Sequence, residues 1–187
     1  MERLHLDTRL TTEDIPDLDL YMDQVIQLFE NKYEKTKRTP DEKILTKTMI
    51  NNYSKGKLFF PIKNKKYSPE HVMIINMIYE LKSMLQIRDI KETFEELNKR
   101  MVADTFDLQK LYDSYLQFSE SNLIRFEKDL QEIFHKVEQR AVQMDEADHE
   151  YVEKVLLVLS LVNMSNYYRR TAEAIVDEIA ATETKKD

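Results

Sequence analysis

One glycine (Gly56) and four prolines in 187 residues leave this backbone very few places to turn sharply. The chain is otherwise rich in Leu, Ile, Glu, Lys and Met, residues that lose little on entering a helix. The pair of observations predicts a mostly α fold. Hydrophobic residues make up 42% and charged residues 34%, which suits a well-charged globular protein with a real core, in one domain or two small ones.

Several function classes drop out early. The absence of cysteine excludes disulfides, thiolate metal sites and a cysteine nucleophile, and a reducing, cytoplasmic setting is expected. The N-terminal MERLHLDTRLTTEDIPDL lacks the apolar stretch of a signal peptide. The longest apolar run, Val155 to Met164, is about half the ~20 residues a membrane span needs, so it reads as a helix buried on most sides and no membrane association is expected. The four histidines, at 5, 71, 135 and 149, are not at helical metal-site spacing. Asp145, Glu146, Asp148, His149 and Glu150 are explained better as helix-start acids in a solvated loop than as a cation site. Tyr167-Tyr168-Arg169-Arg170 reads as an amphipathic turn near the dimer or bundle edge, with an effector pocket or a partner surface as the rarer use. No phosphate-binding loop, dinucleotide fingerprint or Ser-His-Asp pattern occurs, so no enzyme, cofactor or metal is expected.

The helical pattern divides the chain. Residues 1–16 look loose. A first helix is expected from about Asp17 to Tyr33, with Leu20, Val25, Leu28 and Phe29 as its stripe, and a second from Pro40 to about Ser54. Gly56 offers a helix stop. The run from LFFP to KNKKY has the length of a short hairpin, with its turn near Ile62–Lys65. Ser68-Pro69-Glu70 is a strong start signal for a third helix, and a fourth is expected over Ile87–Lys99. Two long helices finish the chain. In the first, Leu116, Leu123, Leu130 and Val137 recur every seven residues, interleaved with Tyr112, Phe126 and Ile133. This seam can join the two helices as a hairpin or join two chains, and the residues leave both open. The expected domains are 15–100 and 101–182.

Charge singles out one segment. Between Lys32 and Lys66 lie eleven Lys or Arg against three acids (Glu34, Asp41, Glu42), a local +8 in a chain of net −7. On a helix, Leu45, Met49, Ile50 and Tyr53 share one face, while Lys47, Asn51 and Lys55 step along the opposite one beside Thr48 and Asn52. Cations suit phosphates, and asparagine suits the adenine edge. No acid occurs from Lys43 to Gly56. Lys63, Lys65 and Lys66 would then sit at the tip of the hairpin, a basic ribbon beside a recognition helix. That is the arrangement of a winged helix-turn-helix, with Lys47, Thr48, Asn51, Asn52 and Lys55 at the groove and the three hairpin lysines on phosphate.

MINNYSKGKLFFP, KKYSPEHV and YELKSMLQIRDIKE together resemble the DNA-binding domain of the MerR family of transcriptional regulators. Tyr53, Leu58, Phe59, Pro61 and Tyr67 keep the recognition-helix and wing pattern, and Ile87, Asp89, Ile90 and Lys91 keep much of the segment that follows. Asn51 stands where that family usually has Arg, and Lys57 and Met84 stand where it has Gly. More closely, the run from DIPDLDLYMDQV to KKYSPEHV is similar to a bacterial family of uncharacterised proteins, common in Firmicutes and linked to MerR-like winged helices. The resemblance covers about residues 15–98. It implies a regulator that binds double-stranded DNA as a homodimer, joined through Tyr112, Leu116, Leu123, Phe126, Leu130, Ile133 and Val137, with a small-molecule effector region. The competing expectation is a protein-interaction module built on the same winged helix.

Overall fold

The computed structural model describes residues 4–144 and 148–183. Two short strands and six helices follow one another: β1 (Leu20–Tyr21), α1 (Met22–Tyr33), α2 (Lys47–Lys55), β2 (Lys66–Tyr67), α3 (Pro69–Leu81), α4 (Ile87–Val102), α5 (Leu108–Gln143) and α6 (His149–Glu183). The mostly helical expectation holds.

Helix α3 is the axis of the core, with every residue from His71 to Ile78 buried. Its start is where the sequence signals it. Pro69 occupies the first helical position, and the Ser68 N–H donates to His71 Nδ1 (3.1 Å). Around α3 pack Val25, Phe29 and Tyr33 of α1, Ile50 and Tyr53 of α2, Ile90, Phe94 and Leu97 of α4, and Leu108 and Tyr112 of α5. Four groups close a buried polar ring inside this apolar shell. The Leu10 N–H donates to Tyr33 Oη (3.2 Å), which donates to Asn76 Oδ1 (2.7 Å). Asn76 Nδ2 donates to Tyr112 Oη (2.9 Å), which donates to the Leu10 carbonyl (2.6 Å). Burial pushes both phenols well above the usual tyrosine range, so both remain protonated donors.

Several boundaries differ from the sequence reading. The segment before residue 16 is not loose: Leu10 is in the core, Arg9 Nε donates to Ser119 Oγ (2.8 Å) and Thr12 Oγ1 to Asp113 Oδ1 (2.6 Å), strapping it to α5. Helix α1 begins at Met22 rather than near Asp17, because Leu20 and Tyr21 are drawn out to pair antiparallel with Tyr67 and Lys66. Helix α2 begins at Lys47 rather than Pro40. The Thr46 hydroxyl accepts from the Met49 N–H (3.2 Å) as its N-cap, and Ile44 and Leu45 are buried in the irregular segment ahead of it.

Beyond the core, α5 and α6 run back to back as a long antiparallel pair. Val176 of α6 joins the core and Ala172 packs against it, so both helices are rooted in the N-terminal body. Leu130, Val137 and Ala141 are buried outside that core, and the outer part of the pair is therefore a two-helix arm. The expectation that Val155–Met164 is buried on most sides fails within one chain: Val155, Val158, Leu159 and Val162 are all exposed. The break between the two helices, expected near Asp145, falls partly on residues 145–147, so Asp145 and Glu146 lie outside the described residues. Among the described residues no helix is long and apolar enough to cross a membrane.

Candidate nucleic-acid interface

Helix α2 is amphipathic in the expected sense. Ile50 and Tyr53 lie buried beneath it, while Lys47, Thr48, Asn51, Asn52 and Lys55 are all exposed on its outer surface. Lys55 sits in the last turn, where a cation complements the helix dipole.

The helix stop divides its work between two residues. Gly56 has an ordinary helical φ of −73°, and Lys57 takes the left-handed conformation (φ 56°). The glycine is required for space: a Cβ there would lie 2.7 Å from Leu58 Cδ1 and 3.1 Å from the Asn52 carbonyl. Leu58 then plugs the core, its N–H donating to the Tyr53 carbonyl (3.0 Å) and its own carbonyl accepting from Asn98 Nδ2 of α4 (3.0 Å).

The hairpin expected between LFFP and KNKKY takes another form. Its tip is a tight turn from Lys63 to Lys66, with the Lys66 N–H donating to the Lys63 carbonyl (2.9 Å) and a single bridge joining those two residues. Asn64 (φ 51°) and Lys65 (φ 58°) both have positive φ, as a type I′ turn demands. The strand that β2 pairs with is β1, from ahead of α1, while the LFFP side packs through its rings: Phe60 lies on His71 at 4.0 Å between centroids, and Phe59 meets the Tyr67 ring at 6.3 Å. Lys63 and Lys65 are exposed; Lys66 is half-buried, its Nζ 5.3 Å from the Tyr21 ring centre.

The start of α1 connects α2 to this turn, which sequence reasoning missed. Lys47 Nζ pairs with Asp23 Oδ1 (2.7 Å), and two residues back Tyr21 is the strand partner of Lys66. The Lys47–Asp23 pair is exposed on both sides, so its contribution to stability is small. On the other flank, Lys57, Lys91 and Glu95 line a groove of about 840 Å³ together with Phe59, Phe60 and Ile62. No sequence signal marks either relationship, since both join segments distant along the chain.

The seven seam residues are largely occupied within their own chain. Tyr112 belongs to the polar ring of the core and offers no surface, a correction to its place in an intermolecular seam. Leu116 packs against the core, Leu130 and Val137 are buried, Leu123 and Ile133 are half-buried, and Phe126 is the most open of them.

A family model described as a domain of unknown function, DUF1836, matches residues 10–115, more than half of the chain. No curated protein and no solved structure matches the chain. The matched span opens on Leu10 and runs just past Tyr112, so it contains the whole polar ring together with α1 to α4 and the root of α5. The chain belongs to the DUF1836 family, and the body that carries the basic surface is its domain of unknown function.

Proposed function

We propose that this protein is a cytoplasmic, non-enzymatic DNA-binding regulator, with α2 entering the major groove and the Lys63–Lys66 turn on the neighbouring backbone. One observation carries the reading: the outer face of α2 presents Lys47, Thr48, Asn51, Asn52 and Lys55, with no acid in that helix, above a buried Ile50–Tyr53 face that holds it rigidly. Lysines at the ends supply phosphate contacts, and the amides between them supply base-edge donors and acceptors. The turn lysines lie beyond the start of α1, with Asp23 against Lys47 and Asp19 beside Lys63 and Lys66 between the two basic groups.

In this reading the domain is a divergent MerR-like winged helix. Two features depart from the usual form. Thirteen residues (34–46) separate α1 from α2, where a helix-turn-helix uses about three or four. The wing is a turn whose return strand is stitched to β1.

The test is fluorescence anisotropy of labelled duplex DNA across a salt series, beside selection of bound genomic fragments. Affinity should fall linearly on a log–log salt plot, with a slope of about −0.9 per phosphate contacted. The triple variant Lys47→Ala/Asn51→Ala/Lys55→Ala should lose binding while keeping its circular dichroism. Undiminished binding by that variant would falsify the groove assignment. A second reading, a protein-interaction surface, is favoured by Asp23, which places an acid against Lys47 on this face. Absence of duplex binding at low salt would select it.

A further inference from the structure

The α5–α6 arm leaves uncovered a second apolar seam, distinct from the one between its two helices. On α6, Val137 and Arg140 of α5 face Leu156, Ser160 and Asn163. On the far side of α6 stand Tyr151, Val155, Val158 and Val162, exposed by 64, 38, 60 and 54%. Their spacing is four, three and four residues, the a/d alternation by which one helix packs on another. Leu159, also 60% exposed, borders the same stripe.

The surroundings of the stripe narrow its occupant. From Val155 to Tyr168 fourteen consecutive residues carry no charge, roughly 20 Å of helix at 1.5 Å per residue. A helix made to lie on a membrane surface flanks its apolar side with Lys and Arg; here the one flanking cation is Lys154, which is paired with Glu150, and from Val155 onward the flanks hold Ser, Asn and Tyr. A stripe made for an unlike partner commonly carries charges that select it. An uncharged apolar stripe at coiled-coil spacing is instead complementary to itself, which is the requirement of a two-fold interface. The arm's own energetics point the same way. Its burial rests on Leu130, Val137 and Ala141, while Ile124, Phe134, Val158, Leu159 and Val162 remain open to water. A two-helix arm with more large apolar side chains outside than inside gains by covering them.

We propose that this outer stripe of α6 is a homodimer interface: two arms pack α6 on α6 about a two-fold axis crossing near Val158, giving a four-helix bundle. The inner seam stays within each chain, and the outer seam joins chains. The exposed valines Val155, Val158 and Val162 are thereby covered, while Leu156, Leu157 and Leu161 are already half-buried within the chain. The dimer depends on the arm alone and stands or falls separately from DNA binding.

The test begins with light-scattering mass at micromolar concentration, which should read twice the 22.4 kDa chain mass. The variant Val155→Glu/Val158→Glu/Val162→Glu should halve that mass with helical circular dichroism retained. Because the chain has no cysteine, Val158→Cys gives an independent reading that leaves the stripe apolar. It should form a disulfide-linked dimer under mild oxidation, whereas Ala103→Cys, exposed on the body, should not. A parent that runs as a monomer overturns the proposal. So does a dimer that neither the glutamates disrupt nor Val158→Cys links, or a monomer that co-sediments with phosphatidylglycerol vesicles through this stripe.

Discussion

Tyr112 Oη and the Leu10 carbonyl, 102 positions apart, are joined by a 2.6 Å hydrogen bond that closes a buried ring through Asn76 and Tyr33. The ring ties the N-terminal strap, α1, α3 and α5 to one another. Tyr112→Phe would leave the Leu10 carbonyl and an Asn76 N–H without partners, at a cost of about 1–3 kcal/mol. Urea unfolding of Tyr112→Phe, Tyr33→Phe and the double variant should show non-additive losses. Strict additivity would mean that the four groups do not act as a unit.

Lys57 holds a left-handed φ of 56° immediately after α2. A side chain there costs roughly 1–2 kcal/mol that glycine avoids. Lys57→Gly should raise the unfolding free energy by about 1 kcal/mol, offset in part by the greater freedom of glycine in the unfolded chain. Gly56→Ala should lower it, because its Cβ would press on the buried Leu58. Equal effects at the two positions would contradict this division of roles.

The turn at Asn64-Lys65 lets stability be separated from binding. Lys65→Gly converts it to Asn-Gly, the preferred type I′ pair, and should stabilise the fold by about 0.5–1 kcal/mol. The same change removes one exposed cation. Duplex binding should weaken and its salt slope should shrink by about one. An unchanged slope would show that Lys65 does not touch phosphate.

His71 couples pH to the turn. Its Nδ1 accepts from the Ser68 N–H, which leaves the proton on Nε2, 3.3 Å from the Phe60 carbonyl. Burial holds its pKa below the usual 6.5, against smaller upward pulls from the Phe60 and Pro61 carbonyls, Glu70 and Asp19. Below pH 6.5 the unfolded chain therefore binds this proton more readily than the folded one. The stabilising contribution is complete above that pH and is lost as pH falls through the folded value. His71→Gln, which keeps an acceptor for the Ser68 N–H, should flatten the difference in melting temperature between neutral and mildly acidic buffer. Parallel profiles for parent and variant would exclude His71 as the source.

What the sequence made legible was local. One glycine, the Ser68-Pro69 start and the four-residue steps of α2 each act within a turn or two of helix, and each is present. The pairing of Leu20 with Tyr67 spans 47 positions, and no nearby residue advertises it. Pro40 offers a helix start, yet Ile44 and Leu45 are buried in irregular chain ahead of the helix, and the Thr46 hydroxyl caps it only at Lys47. Asp23 was invisible as part of the basic surface because its partner Lys47 lies 24 positions away. On α6 the apolar run suggests burial on most sides, but a single chain offers it too little to be buried against.

The length of α5 gives the polar ring a mechanical meaning. From Tyr112, locked in the ring, to Gln143 the helix extends about 46 Å at 1.5 Å per residue. A tilt of about 5° at the ring would swing its far end by about 4 Å. The arm is thus a pointer that magnifies small angular errors at its base, and anything that grips it far from the body sets the bearing of the whole basic face.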